Sequence, residues 1–227
     1  DRCLLMAPHI NEILATLQGH VGETTQLSVR IGEQTGSYLI QPKLLDPDIS
    51  LDSGQTHFEE RLHDVVFRVA SPSFFQVNPR QAQNVVSLVG DALALTGGET
   101  LVDAFAGVGT FAVLLAGRAE RIIAIEGSTP AVADARLNAT GLPSVEFHQG
   151  RTEEVLVGLA NERPDAIVLD PPRSGCAPSA LEALLAVAPK RIVYVSCDPE
   201  TLARDLKVIT SGPYRIERVQ PVDMFPH

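Results

Sequence analysis

Leu101-Val-Asp-Ala-Phe-Ala-Gly-Val-Gly-Thr-Phe-Ala-Val-Leu-Leu115 is the stretch whose reading decides the fold. A short apolar run ends in Asp103, a loop holds Gly107 and Gly109, and apolar residues at helical spacing follow. This is how a buried parallel strand passes into a helix whose N-terminal amides face a ligand. Glycine lets the backbone approach that ligand with no Cβ in the way. The next apolar run, Arg121-Ile-Ile-Ala-Ile-Glu126, closes on an acid.

Gly107-x-Gly109-x-x-Ala112 with an acid downstream also fits a dinucleotide fingerprint. The place of Asp103 points elsewhere. Aligned on the last two glycines, it takes the acidic position in the Asp-x-Gly-x-Gly-x-Gly loop of S-adenosylmethionine (SAM) methyltransferases, with Phe105 replacing the first glycine. Glu126 then stands where a carboxylate accepts hydrogen bonds from a ribose diol. A tight turn that binds nothing is the plain alternative.

From Leu101 onward strands and helices alternate. Strands are expected at 101–104, 121–126, 145–149, 165–170, 191–196 and 214–220, and helices at 109–117, 129–140, 152–160, 179–187 and 199–209. Near-continuous apolar strands such as Ala166-Ile-Val-Leu169 imply a parallel sheet covered on both faces. The expectation is an α/β, Rossmann-like, doubly wound and mostly parallel sheet. Ligands bind such sheets at the carboxyl ends of the strands, where Asp103, Glu126, Asp170 and Cys197 all fall.

Upstream, 1–70 reads as a small α+β segment and 71–227 as the catalytic domain. Residues 4–18 have helical spacing, 26–31 and 37–40 form a hairpin, 44–60 is an acidic surface connection, and 65–69 is a strand. Asn78 and Pro79 suit the cap and first position of a helix, whose apolar face is Ala82, Val85, Val86, Val89, Ala92 and Leu93 and whose end is Gly97-Gly98.

The 227 residues are 44% hydrophobic and 20% charged, enough for a sizeable core. No apolar run reaches membrane-spanning length and no signal peptide opens the chain, so a cytoplasmic location without membrane partners is expected. Cys3, Cys176 and Cys197 lie too far apart for a disulfide framework, and the six histidines show no metal-ligand spacing. A net charge of −10 disfavours a large nucleic-acid surface on this chain alone.

Two further motifs carry chemistry. Asp170-Pro-Pro-Arg173 leaves a strand with two prolines that remove backbone donors, so carbonyls and the carboxylate face the pocket. Amino-methyltransferases use Asp-Pro-Pro and an aromatic residue to hold an exocyclic amine, but Arg173 takes the aromatic's place; a merely stiffened loop also fits. Cys197 precedes Asp198-Pro199, a cap and first helical residue, so its sulfur lies beside a helix N-terminus that favours a thiolate. Asp198 opposes this with its own charge, and a buried structural cysteine is the alternative.

Phe-Phe-Gln-Val-Asn (74–78), Asp-Ala-Phe-Ala-Gly-Val-Gly-Thr (103–110), Ile-Glu-Gly (125–127), Asp-Pro-Pro-Arg (170–173), Val-Tyr-Val-Ser-Cys-Asp-Pro-Glu-Thr-Leu-Ala-Arg-Asp (193–205) and Asp-Met-Phe-Pro-His (223–227) resemble the RNA 5-methyluridine methyltransferase family. The blocks stand in family order over about 72–227; residues 1–70 resemble the family's central domain only loosely. The resemblance implies SAM as cofactor, rRNA or tRNA as substrate and no protein partner. It implies Cys197 as the nucleophile that adds to C6 of uracil, so that C5 takes the methyl group before a base removes its proton and the thiol leaves. Gln76, Phe105, Glu126 and Asp170 match cofactor-contacting positions, Gly107 and Gly109 would wall the loop, and Thr110 stands where relatives often carry Asn.

The resemblance also implies a glutamate base and a last strand past His227, and a small basic RNA-binding domain before residue 1. Cys3 resembles the fourth ligand of an iron–sulfur cluster found in some relatives, which only a longer chain could hold. Three other functions remain open. An RNA 5-methylcytosine enzyme would carry its Cys directly after a Pro, where Arg173 stands. A base amino-methyltransferase would need no thiol, and a non-catalytic SAM- or RNA-binding paralogue would need no base.

Overall fold

The structure, a computed structural model, describes residues 2–22 and 24–225. The chain opens with α1 (Pro8–Leu17) and the antiparallel hairpin β1 (Ser28–Ile31) and β2 (Tyr38–Gln41). Ile13 and Leu17 of the helix pack with Ile40 and Leu44. A second hairpin, β3 (His57–Leu62) and β4 (Val65–Ala70), leads into α2 (Pro79–Leu93).

β3 corrects the reading of 44–60 as a surface connection. Its residues alternate, with Phe58, Glu60 and Leu62 buried. Glu60 disguises the pattern: it is 3% exposed, yet its carboxylate accepts from the backbone amides of Glu33 at 2.7 Å and Gln34 at 3.1 Å. Those amides, in the loop that joins β1 to β2, satisfy a buried charge that the local sequence makes look solvated.

The Asn78 side chain caps α2 by accepting from the Gln81 amide at 3.1 Å, and Ala82, Val86, Val89 and Leu93 form the buried face. Ala92 is exposed rather than buried. The helix also ends before Gly97-Gly98: Ala94 turns left-handed with φ 44°, and Arg191 takes up the Leu93 carbonyl. The Glu99 carboxylate then accepts from the amides of Thr96 and Gly97, which closes the loop.

Five strands follow: β5 (Thr100–Ala104), β6 (Arg121–Glu126), β7 (Val145–Gln149), β8 (Ala166–Leu169) and β9 (Arg191–Tyr194). Between them run α3 (Thr110–Leu114), α4 (Thr129–Asn138), α5 (Thr152–Leu159) and α6 (Pro178–Val187), and α7 (Pro199–Ile209) follows the last. All pair in parallel in the order β7-β6-β5-β8-β9. This is the expected Rossmann-like, doubly wound sheet.

One face packs against Val86, Val89 and Leu93 of α2 with Phe111 and Leu115. The other packs against Leu156, Leu159, Leu181, Leu184 and Ile209 from α5, α6 and α7. Each fully buried Ile or Leu stabilises by about 1.5–3 kcal/mol, so the two layers hold the strand ends firmly. A third cluster joins Phe67, Val69 and Phe75 to Val108 and Ala131, and seats the second hairpin beside the glycine loop.

Residues 214–220 form no strand. A strand exists through bonds to a neighbour, and none joins this segment to β9; Ile216 and Val219 are exposed. The alternating pattern alone cannot order it.

Candidate active site

The strand order reverses direction between β5 and β8, and ligands of such sheets occupy the crevice outside that point. Across the carboxyl edge stand, in spatial order, Glu126 on β6, the 105–110 loop after β5, Asp170 after β8 and Cys197 beyond β9. With adjacent strands about 4.8 Å apart, four neighbouring strand ends span about 15 Å. Residues separated by as many as 92 positions in the sequence, Phe105 and Cys197, thus share one rim.

Phe105 keeps the backbone of the glycine it replaces, with φ 66°. A left-handed non-glycine residue costs about 1–2 kcal/mol. Packing of its partly buried ring against the α5–α6 layer offsets part of that. Gly107 and Gly109 follow at φ 56° and 88°, and a Cβ on Gly109 would meet the Phe147 ring at 3.2 Å.

Thr110 opens α3, which is five residues long and gives way to a 3-10 turn at Ala116–Arg118, shorter than the helix expected over 109–117. Asp103 supplies what so short a helix lacks. Its Oδ2 accepts from the Ala112 amide at 2.9 Å, satisfying a helix donor from inside the sheet.

Asp103 is fully buried and its Oδ1 has no partner. Burial pushes its carboxyl to about 8; the Ala112 bond opposes this, and the charges of Asp170 and Glu126 add to it. Burial likewise pushes Asp170 to about 6. Glu126 is tied in place: Oε2 accepts from the Gly107 amide at 2.9 Å and Oε1 from the Ser128 amide at 2.6 Å. Gln76 is partly buried next to Phe75, which shares a cluster with Val108.

Cys197 is exposed in the turn between β9 and α7. The Asp198 carboxylate caps α7 by accepting from the Thr201 amide at 2.9 Å. Bonds from the Thr201 amide and hydroxyl, then the charge of Arg173, hold that carboxyl below its usual range.

Helix α7 also grips the loop that begins at Asp170. Thr201 Oγ1 donates to the Arg173 carbonyl at 3.0 Å, and Arg204 donates to the carbonyls of Ser174 at 2.8 Å and Cys176 at 3.2 Å. Fully buried Asp205 accepts from the Cys176 amide at 2.7 Å and the Tyr194 hydroxyl at 2.6 Å. Gly175, at φ 71°, leaves room: a Cβ there would sit 2.6 Å from Asp205 Oδ2. Sequence reasoning gave Asp205 no role. Its signal was an acid four residues before Ile209, on the buried stripe of an amphipathic helix.

Residues 54–227 match the family described as tRNA (uracil-5-)-methyltransferase. The chain belongs to that family. An uncharacterized RNA methyltransferase of Listeria monocytogenes is 39% identical over 223 residues, 96% of this chain and 47% of the relative. Another, of Bacillus cereus, is 43% identical over 179 residues, 77% of this chain and 39% of the relative. The chain thus spans about half the length, or less, of the curated relatives it matches.

Among solved structures, the Pyrococcus abyssi tRNA (uracil-54, C5)-methyltransferase in complex with S-adenosyl-L-homocysteine (SAH) superposes with TM-score 0.80 and 29% identity. The match covers 100% of this chain and 66% of that one. A SAM-dependent methyltransferase of Agrobacterium tumefaciens, 15% identical at TM-score 0.57 over 80% of this chain and 64% of that one, shows the fold alone.

Cys3 is exposed, and no group of three or more His, Cys, Asp or Glu among the described residues could hold a metal ion. No helix among them is long and apolar enough to cross a membrane. In the 223–227 block, Asp223 to Phe225 are described, with the Met224 carbonyl accepting from Asn78 at 3.2 Å; Pro226 and His227 lie outside the described residues.

Proposed function

We propose that the protein is a SAM-dependent RNA methyltransferase that forms 5-methyluridine in rRNA or tRNA, with 71–227 as its catalytic domain and the cytoplasm as its place of action. The observation that carries this reading is the order of the strand ends, with the glycine loop and Glu126 on one side of the switch point and Asp170 and Cys197 on the other.

The residues present fit the cofactor. Asp103 Oδ1 is buried with no partner, which suits a ligand that can hydrogen-bond to it. Glu126 uses two acceptor positions on backbone amides, and a carboxylate has about four, leaving room for a ribose diol. Gln76, Phe105, Gly107, Gly109, Thr110, Glu126 and Asp170 would hold SAM, which when bound supplies the methyl group.

Cys197 is the nucleophile. Its exposed sulfur stands where the amides of α7 begin, and the Asp198 cap holds that turn rigid. The thiolate forms a bond to C6 of uracil as the C5–C6 double bond opens, which gives C5 the electron pair that the methylation consumes. Removal of the C5 proton and loss of the thiolate then restore the double bond. The proton goes to a general base. The α7 grip on the 170–176 loop keeps Asp170 and Cys197 in a fixed relation, as an addition that demands aligned reactants requires.

Nucleoside mass spectrometry of rRNA and tRNA from a strain lacking the gene tests the reading. Loss of 5-methyluridine from one RNA, restored by the wild-type gene and not by Cys197→Ala, is the expected result. Unchanged 5-methyluridine with loss of 5-methylcytidine or of a methylated amino group would replace it with one of the other base chemistries.

A further inference from the structure

Asn138, the last residue of α4, has every hydrogen-bonding group of its amide engaged except one acceptor lone pair. Oδ1 accepts from the Arg68 backbone amide at 2.8 Å, and Nδ2 donates to the carbonyls of Arg68 at 3.1 Å and Val108 at 3.0 Å. One turn earlier, buried Asp134 accepts from the Ala70 amide at 2.6 Å and pairs with the Arg68 guanidinium. Helix α4 therefore meets both the edge of β4 and the glycine loop. Between these contacts, the Ala135 methyl lies 3.4 Å from where a Cβ on Gly109 would be.

The peptide joining Val108 to Gly109 is held at both ends. Its carbonyl accepts from Asn138, and its N–H donates to the Ala106 carbonyl at 2.9 Å. Glycines precede and contain this peptide, so its flanking torsions are unusually free to rotate. A pin on such a peptide removes conformations that a ligand would otherwise have to exclude on binding.

We propose that Asn138 is a positioning residue for the cofactor loop, and that through it the β3–β4 hairpin becomes part of the SAM site. The proposal rests on the reading that SAM lies against residues 105–110. Asn138 acts through the Val108 carbonyl: it orders the loop before the cofactor arrives.

Titration calorimetry with SAH, well below the melting temperature, tests this on four proteins. Asn138→Asp keeps an acceptor for the Arg68 amide but turns an oxygen toward two carbonyls; SAH should bind at least tenfold more weakly, and the loop amides of 107–113 should exchange faster in the free protein. Leu93→Ala is the control for stability alone. Leu93 is fully buried at the opposite end of the sheet, so this change should lower Tm and leave the SAH Kd within twofold. Glu126→Ala checks the underlying placement and should weaken binding.

Affinity within twofold for Asn138→Asp while Glu126→Ala binds weakly would overturn the role of Asn138. So would equal weakening by Leu93→Ala, which would make the effect one of general stability. If Glu126→Ala binds as wild type does, the cofactor placement is wrong and the proposal falls with it. Should Asn138→Asp not fold, Asn138→Ser, which removes both donations with less bulk, is read by the same outcomes.

Discussion

The Gly107 amide donates to the Glu126 carboxylate at 2.9 Å, across the gap between the β5 loop and the end of β6. Glu126 therefore fixes the loop, and in the proposed function its remaining lone pairs take the ribose diol of SAM. Hydrogen bonds to a charged acceptor contribute about 1.5–3 kcal/mol each. Glu126→Ala should weaken SAH binding by about 10- to 100-fold, which calorimetry measures directly. Glu126→Gln, which keeps one acceptor oxygen, should fall between alanine and wild type; a glutamine variant as weak as the alanine would tie the effect to charge alone.

Asp170 and Asp103 make stability depend on pH in a defined direction. Burial raises them from about 3.8 to about 6 and about 8. Between the ordinary and raised values the folded protein keeps protons that the unfolded chain has released, so stability falls as pH rises. The contribution is fully present below pH 4; it is lost through pH 6 for Asp170 and through pH 8 for Asp103. Asp170→Asn should therefore be more stable than wild type at pH 7, by about 3 kcal/mol given a rise from 3.8 to about 6 and 1.36 kcal/mol per pKa unit. Urea melts at pH 4 and pH 7 should show the gap only at the higher pH.

Phe105 holds a left-handed backbone that alanine would share and glycine would not resent. Phe105→Ala and Phe105→Gly lose the same ring contacts apart from one methyl group. The glycine variant should be the more stable of the two by about 1 kcal/mol, since it is released from the left-handed penalty. Thermal melts of the pair read the difference, and an alanine variant as stable as the glycine would mean the loop relaxes.

Asp205 should behave as a structural clamp. Its removal leaves the Cys176 amide and the Tyr194 hydroxyl without acceptors, and such losses cost about 1–3 kcal/mol each. Asp205→Ala should lower stability by roughly 3 kcal/mol, whereas Asp205→Asn, which retains an acceptor oxygen, should lose less. Denaturant titration of both variants checks the order.

What the sequence disclosed and what it hid follow from the range of the interactions. Helix α7 was legible to the residue because Asp198 and Pro199 mark its start locally. The strands β6 and β7 were legible because Arg121–Glu126 and Val145–Gln149 carry their own apolar pattern. β3 was hidden because Glu60 is satisfied by amides 26 and 27 residues away. The role of Asn138 was hidden for the same reason, its partners lying 30 and 70 residues upstream. In the site, Glu126 and Asp170 stand at the ends of strands that pattern alone locates. The clamps that orient them are polar residues inside helices, whose purpose appears only once the loops they hold are in place.

Cys197 and Cys176 provide the sharpest contrast. Cys176 is 4% exposed, and burial pushes its thiol to about 11, so at neutral pH it stays protonated and out of reach. Cys197 is exposed at the start of α7, where a thiolate can meet a base. A thiol reacts as its thiolate, and of the two cysteines only Cys197 is accessible to a base. RNA carrying 5-fluorouridine distinguishes the two, because a fluorine at C5 cannot leave as a proton does and the thiol adduct cannot collapse. With SAM present, a protein of the relatives' full length should form a covalent complex with this RNA that survives denaturing electrophoresis. Cys176→Ala should trap as wild type does, and Cys197→Ala should not trap at all. A mass increment on the peptide containing residue 197 would place the bond, whereas trapping that persists in Cys197→Ala would falsify its assignment as the nucleophile.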